Sequence, residues 1–256
     1  MEPQGPIRLL HLTDHHLFAN REGVLHGTIT YETLSAVIED IRHRKWRADA
    51  IVTTGDLIQD DSANAYIRFQ ELIKVFGLPV YCVPGNHDIK PLMQKLLSED
   101  QYHYCPSVHC GDWLITGIDS CVDGETGGFI APEILHALRQ QLAQTQAKHV
   151  AVLLHHPPLP MQSKWLDAMG LKNSADFMQA ISISENVRTA IFGHVHQEFD
   201  QTVNRIRVIG TPSTCAQFKP FNATFQLDDK PPAYRRIDLQ TNGTIETKVI
   251  WIGKRS

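Results

Sequence analysis

Short apolar, β-rich runs recur along the chain, and each breaks on a cluster of Gly, Asp, His or Pro. "IRLLHLTD", "ADAIVTTGD" and "PVYCVPGNHD" come first; "DWLITGIDS", "KHVAVLLHHPP" and "RTAIFGHVH" follow. Helical patterns separate most of them. Residues 31–46 place Leu34, Val37, Ile38 and Ile41 on one face. Ser62 or Asn64 is positioned to cap a second helix running through Phe76. Pro132 stands where a third would start, with Ile134, Leu135, Leu138 and Leu142 as its apolar stripe. This rhythm predicts βαβ units and buried sheets. After about residue 196 the helical patterns stop. Strands and hairpins take over, with Asn242-Gly243 as a hairpin turn. No linker or repeat interrupts the chain, so residues 1–256 are expected to form one α/β domain of two sheets covered by helices.

Composition narrows the setting. Of 256 residues, 42% are hydrophobic and the net charge is −4, with no long Lys/Arg run, which argues against a nucleic-acid partner. The five cysteines form no CxxC pair, so neither a disulfide framework nor a zinc ribbon is expected and a reducing cytoplasm fits. "MEPQGPIR" lacks the pattern of a signal peptide and no apolar run reaches membrane-spanning length, so no membrane association is expected. Oligomeric state is not legible.

The candidate chemistry sits at the strand ends, where open α/β sheets bind ligands. The clusters are Asp14-His15-His16, Gly55-Asp56, Gly85-Asn86-His87-Asp88, His155-His156 and Gly193-His194-Val195-His196. They hold carboxylates, imidazoles and a carboxamide, and no nucleophilic Ser or Cys beside a base. Such mixed O and N donors suit Mn, Fe, Zn or Co. Asp14-x-His16 and His194-x-His196 are i, i+2 pairs, which in extended backbone project to the same side. Gly55 and Gly85 are expected in tight turns that let backbone approach a bound group. Each cluster alone reads as an ordinary turn; together and in this order they do not.

In that order the motifs D-x-H, G-D, G-N-H-D, a later H and G-H-x-H resemble the calcineurin-like metallophosphoesterases, over residues 14–196. "LLHHPPLP", "SKWLD", "GHVHQEFD" and "TPSTCAQFKP" (211–220) further resemble the bacterial class III 3′,5′-cyclic AMP phosphodiesterases. The resemblance implies an α/β/β/α sandwich and two divalent metal ions, Fe2+ or Mn2+. One would be held by Asp14, His16, Asp56 and His196, the other by Asp56, Asn86, His155 and His194, with Asp56 shared. The substrate, a cyclic nucleotide converted to 5′-AMP, would contact His16, Asp56, Asn86, His87 and His196. Two such ions, about 4 Å apart, offset the negative charge of a phosphodiester and make hydroxide available near neutral pH.

His87 adjoins a ligand but is not itself assigned to a metal, which makes it the candidate to protonate the leaving oxygen. Asp88 either orients that ring and favours its charged form, caps the helix "IKPLMQKLL", or does both. His156 either hydrogen-bonds near substrate or only turns the chain before Pro157-Pro158. Phe218 and Trp165 read as nucleobase contacts or as core aromatics. His11 reads as a buried, satisfied histidine, and His15 as a neighbour of the ligands. Alternatives are another phosphodiesterase or phosphomonoesterase of the same family, or a degenerate scaffold; the complete ligand set argues against the scaffold. "DHH" at 14–16 is also a label of another phosphoesterase family, but the five-part set accounts for these residues better.

Overall fold

A computed structural model describes residues 5–253; the first four residues of the N-terminal stretch read above lie outside it. The chain begins with β1 (Ile7–His11), the small hairpin β2 (Val24–Leu25) and β3 (Thr28–Ile29), α1 (Thr30–Arg44) and β4 (Ala50–Thr53). Then come α2 (Ala63–Ile73), β5 (Val80–Cys82), α3 (Lys90–Leu96), β6 (Tyr102–Tyr104), β7 (Ser107–Cys110) and β8 (Trp113–Gly117). The middle holds α4 (Pro132–Gln144), β9 (His149–Leu153), α5 (Lys164–Asp167), α6 (Ser174–Ser182) and β10 (Val187–Phe192). The rest is β: β11 (Phe199–Val203), β12 (Ile206–Gly210), β13 (Gln217–Phe218), β14 (Leu227–Asp228), β15 (Ala233–Leu239) and β16 (Ile245–Trp251).

Two six-stranded sheets result, ordered β16-β15-β1-β4-β5-β6 and β11-β12-β10-β9-β8-β7. Strands β1, β4, β5 and β6 run parallel in the first sheet and β8, β9, β10 and β12 in the second, most of them joined through helices, while β15 is antiparallel to both its neighbours. The inner strands are buried on both faces, which is why "AIVT" and "HVAVL" read as continuous apolar runs rather than alternating ones. The antiparallel edge strand β16 alternates half-buried and exposed positions instead.

Three apolar clusters make this an α/β/β/α sandwich, as expected. One packs α1 and α2 on the first sheet through Leu34, Val37, Tyr66 and Phe69. A second packs α4 and α6 on the other sheet through Leu135, Leu138, Phe177 and Ile181. The third lies between the sheets, where Leu9, Val52 and Ile237 of one meet Trp113, Leu153 and Ile191 of the other. Burying these faces supplies the main driving force for folding, about 25 cal/mol per Å² of apolar surface.

The helix boundaries refine the sequence reading. Helix α1 ends at Arg44 because Lys45 turns into the left-handed region (φ 52°). Ser62, not Asn64, caps α2, its Oγ accepting from the Asn64 amide at 3.1 Å. Helix α2 stops at Ile73, and Lys74–Phe76 continue it as one tighter turn. Asn242-Gly243 does turn β15 into β16: Gly243 has φ 84°, and Asn242 Oδ1 accepts from the Thr244 amide. No described helix is long and apolar enough to cross a membrane.

Candidate metal centre

All five clusters converge at the carboxyl ends of β1, β4, β5, β9 and β10. The backbone reaches them in a way that strand geometry does not anticipate. Asp14, His16, Asp56, His194 and His196 all take left-handed φ, between 48° and 69°. The i, i+2 pairs are therefore not extended; each ligand is turned inward individually, which corrects the expectation above. Asp and His tolerate this region better than most side chains, yet each such residue costs roughly 1–3 kcal/mol that surrounding contacts must offset.

Those contacts are visible. The loop after β1 zips onto the loop after β4, with the Asp14 and His16 amides donating to the Gly55 and Asp56 carbonyls at 3.1 and 2.9 Å. The His194 amide donates to both Asp14 carboxylate oxygens (2.9 and 3.1 Å), and the His87 amide donates to Asp56 Oδ1 (2.9 Å). Gly85 is packed so tightly that a Cβ there would lie 2.2 Å from Asp56 Oδ1, and one at Gly55 (φ 96°) would meet the Gly85 backbone at 2.5 Å. Here both glycines are required, as expected.

The imidazole protons decide what the cluster can hold. His16 faces Gln59 Oε1 through Nδ1 (2.8 Å), and His196 faces the Ala216 carbonyl through Nδ1 (2.6 Å). Both partners only accept, so in the neutral rings each Nδ1 carries the proton and each Nε2 presents its lone pair. These two Nε2 atoms face each other 3.1 Å apart. A cation shared by both lone pairs satisfies that arrangement, and the external hydrogen bonds fix the tautomer as metal-binding histidines require.

His155 is built the same way, donating Nδ1–H to the Thr54 carbonyl (2.6 Å). Its Nε2 lies 3.1 Å from Asn86 Oδ1, 3.1 Å from His194 Nδ1 and 3.4 Å from Asp56 Oδ2. Burial opposes charge on His155, but the Asp56 carboxylate outweighs it and raises the pKa to about 9. On His16 burial wins and lowers the pKa to about 3. Burial also pushes Asp56 upward, but His155 and His16 more than reverse this, holding it well below the usual carboxylate range. Asp56 Oδ2 is 3.7 Å from His16 Nε2 on its other side, so it stands between the two halves. The donors present thus fit two cations sharing Asp56.

His87 is half-buried, its ring edge-on to His16 at 5.0 Å, and it converges with His16 and Asp56. A cavity of about 370 Å³ lined by Asn86, His87, Lys90 and Cys121 opens beside it. The larger groove, about 740 Å³ between α1 and residues 227–232, includes none of the seven candidate ligands and approaches the centre from behind, at Cys215, Ala216 and Gln217.

Asp88 departs from both expected roles. Its oxygens accept from the Gly85 and Leu57 amides and the Tyr66 hydroxyl, so its hydrogen bonds go to the backbone of two ligand loops and to α2, not to the His87 ring. Helix α3 starts from Ile89 without a side-chain cap. Burial, reinforced by Asp56, raises the Asp88 pKa to about 7.

His156 also converges with His155 and His194, but Ser120 Oγ and the Thr126 carbonyl hold its two nitrogens at 2.9 and 3.2 Å. His11 is buried and satisfied by Thr54 and Thr211. His15 turns away, to Thr214 Oγ1 and the face of Phe69. Segment 211–220 does border the centre: Ser213 Oγ donates to the Asp14 carbonyl, Ala216 holds His196, and Phe218 stacks on the His196 ring at 4.0 Å. The supporting residues Gln59 and Tyr66 carry no signal in the sequence alone, whereas Ser213 and Ala216 lie inside the stretch 211–220 that the resemblance singled out.

Known proteins resemble this chain in sequence and fold. The profile of the family described as "Calcineurin-like phosphoesterase" matches residues 7–198. The chain is 39% identical over 247 residues to "3′,5′-cyclic adenosine monophosphate phosphodiesterase CpdA" of Escherichia coli (strain K12), covering 96% of this chain and 90% of the relative. It is 37% identical over 244 residues to the protein of the same name from Haemophilus influenzae, covering 95% and 89%. A dimetal phosphatase from Danio rerio has the same fold, with a TM-score of 0.68 at 15% identity over 98% of this chain and all of that one. Sequence, fold and converging donors agree, and the chain belongs to the calcineurin-like phosphoesterase family.

Proposed function

We propose that the chain hydrolyses 3′,5′-cyclic AMP to 5′-AMP and so lowers the cyclic AMP level of the cell. The observation that carries the substrate is the 37–39% identity, across nearly the whole chain, to proteins named for that activity. Asp14, His16 and His196 would hold one divalent ion and Asn86, His155 and His194 the other, with Asp56 shared and Fe2+ or Mn2+ as the metals. When bound, such ions neutralise phosphoryl oxygens and lower the pKa of an attacking water.

The chain's own residues do the rest. Asp14 and Asp56 are the two anions of the ligand set, so two divalent ions leave it net positive toward a phosphodiester. Gln59, Thr54 and Ala216 keep three imidazole lone pairs aimed inward. His16, Asp56, Asn86, His87 and His196 surround the place of the phosphoryl group. His87, the ring beside the ligands that faces a cavity, protonates the 3′ oxygen as it leaves. Asp88 positions the loops carrying Asp56 and Asn86.

The third apolar cluster, drawn from both sheets, supports one domain over the whole chain. The five cysteines are all free, in keeping with a reducing, cytoplasmic setting. The test offers purified protein and Mn2+ three substrates: 3′,5′-cyclic AMP, 2′,3′-cyclic AMP and an aryl phosphodiester. Preferred hydrolysis of 3′,5′-cyclic AMP, giving 5′-AMP, is expected. Turnover of the other esters without it overturns the substrate and leaves the phosphoesterase.

A further inference from the structure

Exposed apolar side chains are not spread evenly over this molecule. Of the eight large hydrophobic residues that are exposed among those described, Phe221, Phe225 and Leu227 fall within one seven-residue stretch. That stretch is the tip of the hairpin formed by β13 and β14, whose other arm carries Phe218. Exposed apolar side chains gathered in one place, rather than scattered singly, are where interaction sites of such proteins are found.

The patch has a defined internal order. Phe218 gives one face to His196, at 4.0 Å and nearly parallel (6°), so that face is closed to any ligand. Its edge meets Phe225 (5.3 Å, 72°) and Trp165 of α5 (5.3 Å, 68°). Trp165 also meets Phe225 edge-on, at 5.3 Å. His26, at the turn of the β2–β3 hairpin, closes the group from the far side, 5.1 Å from Phe225. Four rings from three separate segments thus run outward without a gap from a metal-ligating imidazole. The outermost, Phe225, is 44% exposed.

The hairpin is held in place. Lys219 and Gln226 pair across it, Ser163 Oγ donates to the Asn222 carbonyl at 2.6 Å, and the Phe218 amide donates to the His196 carbonyl. Trp165 Nε1 is buried without a hydrogen-bond partner among the described residues, an unanswered donor inside the group.

We propose that this aromatic platform is the nucleobase subsite, with Phe225 as the ring on which the purine of the cyclic nucleotide stacks. The inference rests on the cyclic AMP reading above. The occupant follows from continuity: a ligand whose phosphate is held at His16 and His196 has its base within reach of the rings that begin at His196. A purine offers a flat π-face, and aromatic side chains bind such faces with little demand on hydrogen bonding. Phe218, which the sequence left as either a base contact or a core aromatic, is here the spacer that ties the platform to the metal centre.

The test compares 3′,5′-cyclic AMP with a base-free ribose 3′,5′-cyclic phosphate on the full chain loaded with Mn2+. Phe225→Ala is expected to lower the ratio of kcat/KM for cyclic AMP over the base-free ester about tenfold, through KM, the size of one base–aromatic contact. Phe225→Trp is expected to restore it. Phe225 is exposed, and an unchanged melting temperature checks that the variant folds. An unchanged ratio, or an equal fall for both esters, overturns the subsite while leaving the cyclic AMP activity standing. If the unmodified chain turns over the base-free ester but not cyclic AMP, the functional reading falls and the subsite with it. If Phe225→Ala changes only self-association, read by sedimentation, the patch is a protein contact and the subsite is overturned.

Discussion

The two halves of the centre each pair two imidazoles with one oxygen donor but are not equivalent. In the half formed by Asp14, His16 and His196, both imidazoles have Nδ1 fixed from outside, and the half owns a carboxylate. In the half formed by Asn86, His155 and His194, only His155 is fixed in that way. His194 presents Nδ1 inward, and its Nε2 is buried without a partner among the described residues. Asn86 brings no charge, so this half depends on Asp56 for its anion. Outer hydrogen bonds raise ligand basicity and fix orientation; the first half should therefore hold its ion more tightly.

Removing the shared ligand is the most severe way to break this comparison. Asp56→Ala is expected to abolish turnover and release both ions, read by elemental analysis of the purified variant. Retention of one full equivalent shows that the halves stand independently. His87→Ala comes next, with kcat expected to fall about 10²–10⁴-fold while both ions stay. Turnover near that of the parent removes His87 from the chemistry.

pH sharpens the contrast between the halves. In the ion-free protein His155 has its pKa raised to about 9, so at pH 7 it carries a proton that a cation must displace. His16, with its pKa near 3, carries none. Affinity in the second half is therefore expected to rise about tenfold per pH unit from 7 toward 9, and to level off above. Affinity in the first half should barely change there. Metal titrations at several pH values separate the two; parallel curves contradict the asymmetry. The smallest change is Gln59→Ala, which frees the His16 tautomer. It is expected to weaken the first half alone, about tenfold, visible as a narrower gap between the two steps of a chelator titration.

The candidate ligands stood out in the sequence because their chemistry is local: Asp, His and Asn do not gather at five successive strand ends for packing reasons. The sandwich was legible because doubly buried strands and striped helices leave different apolar rhythms. What holds the ligands was not. Gln59, Thr54 and Ala216 are ordinary residues that matter only because folding sets them against His16, His155 and His196. Asp88 misled because its carboxylate turns away from the ring beside it in sequence: its partners include Tyr66, 22 positions away. The i, i+2 argument assumed strand geometry just where the strands end and the backbone turns left-handed. The same limit hid Phe225, an unremarkable loop phenylalanine until the hairpin places it beside Trp165 and His26.

The bond from the His194 amide to Asp14 joins positions 180 apart in the sequence, and His196 takes its orientation from Ala216, further on still. Synthesis runs from the amino end. A ribosome that has made β1, β4, β5 and β6, the parallel part of the first sheet, has therefore made no working centre. Activity arrives only when the last third of the chain has emerged and folded back, so a nascent or truncated chain is silent toward the messenger molecule. Catalysis in this protein is in effect a report that folding is complete.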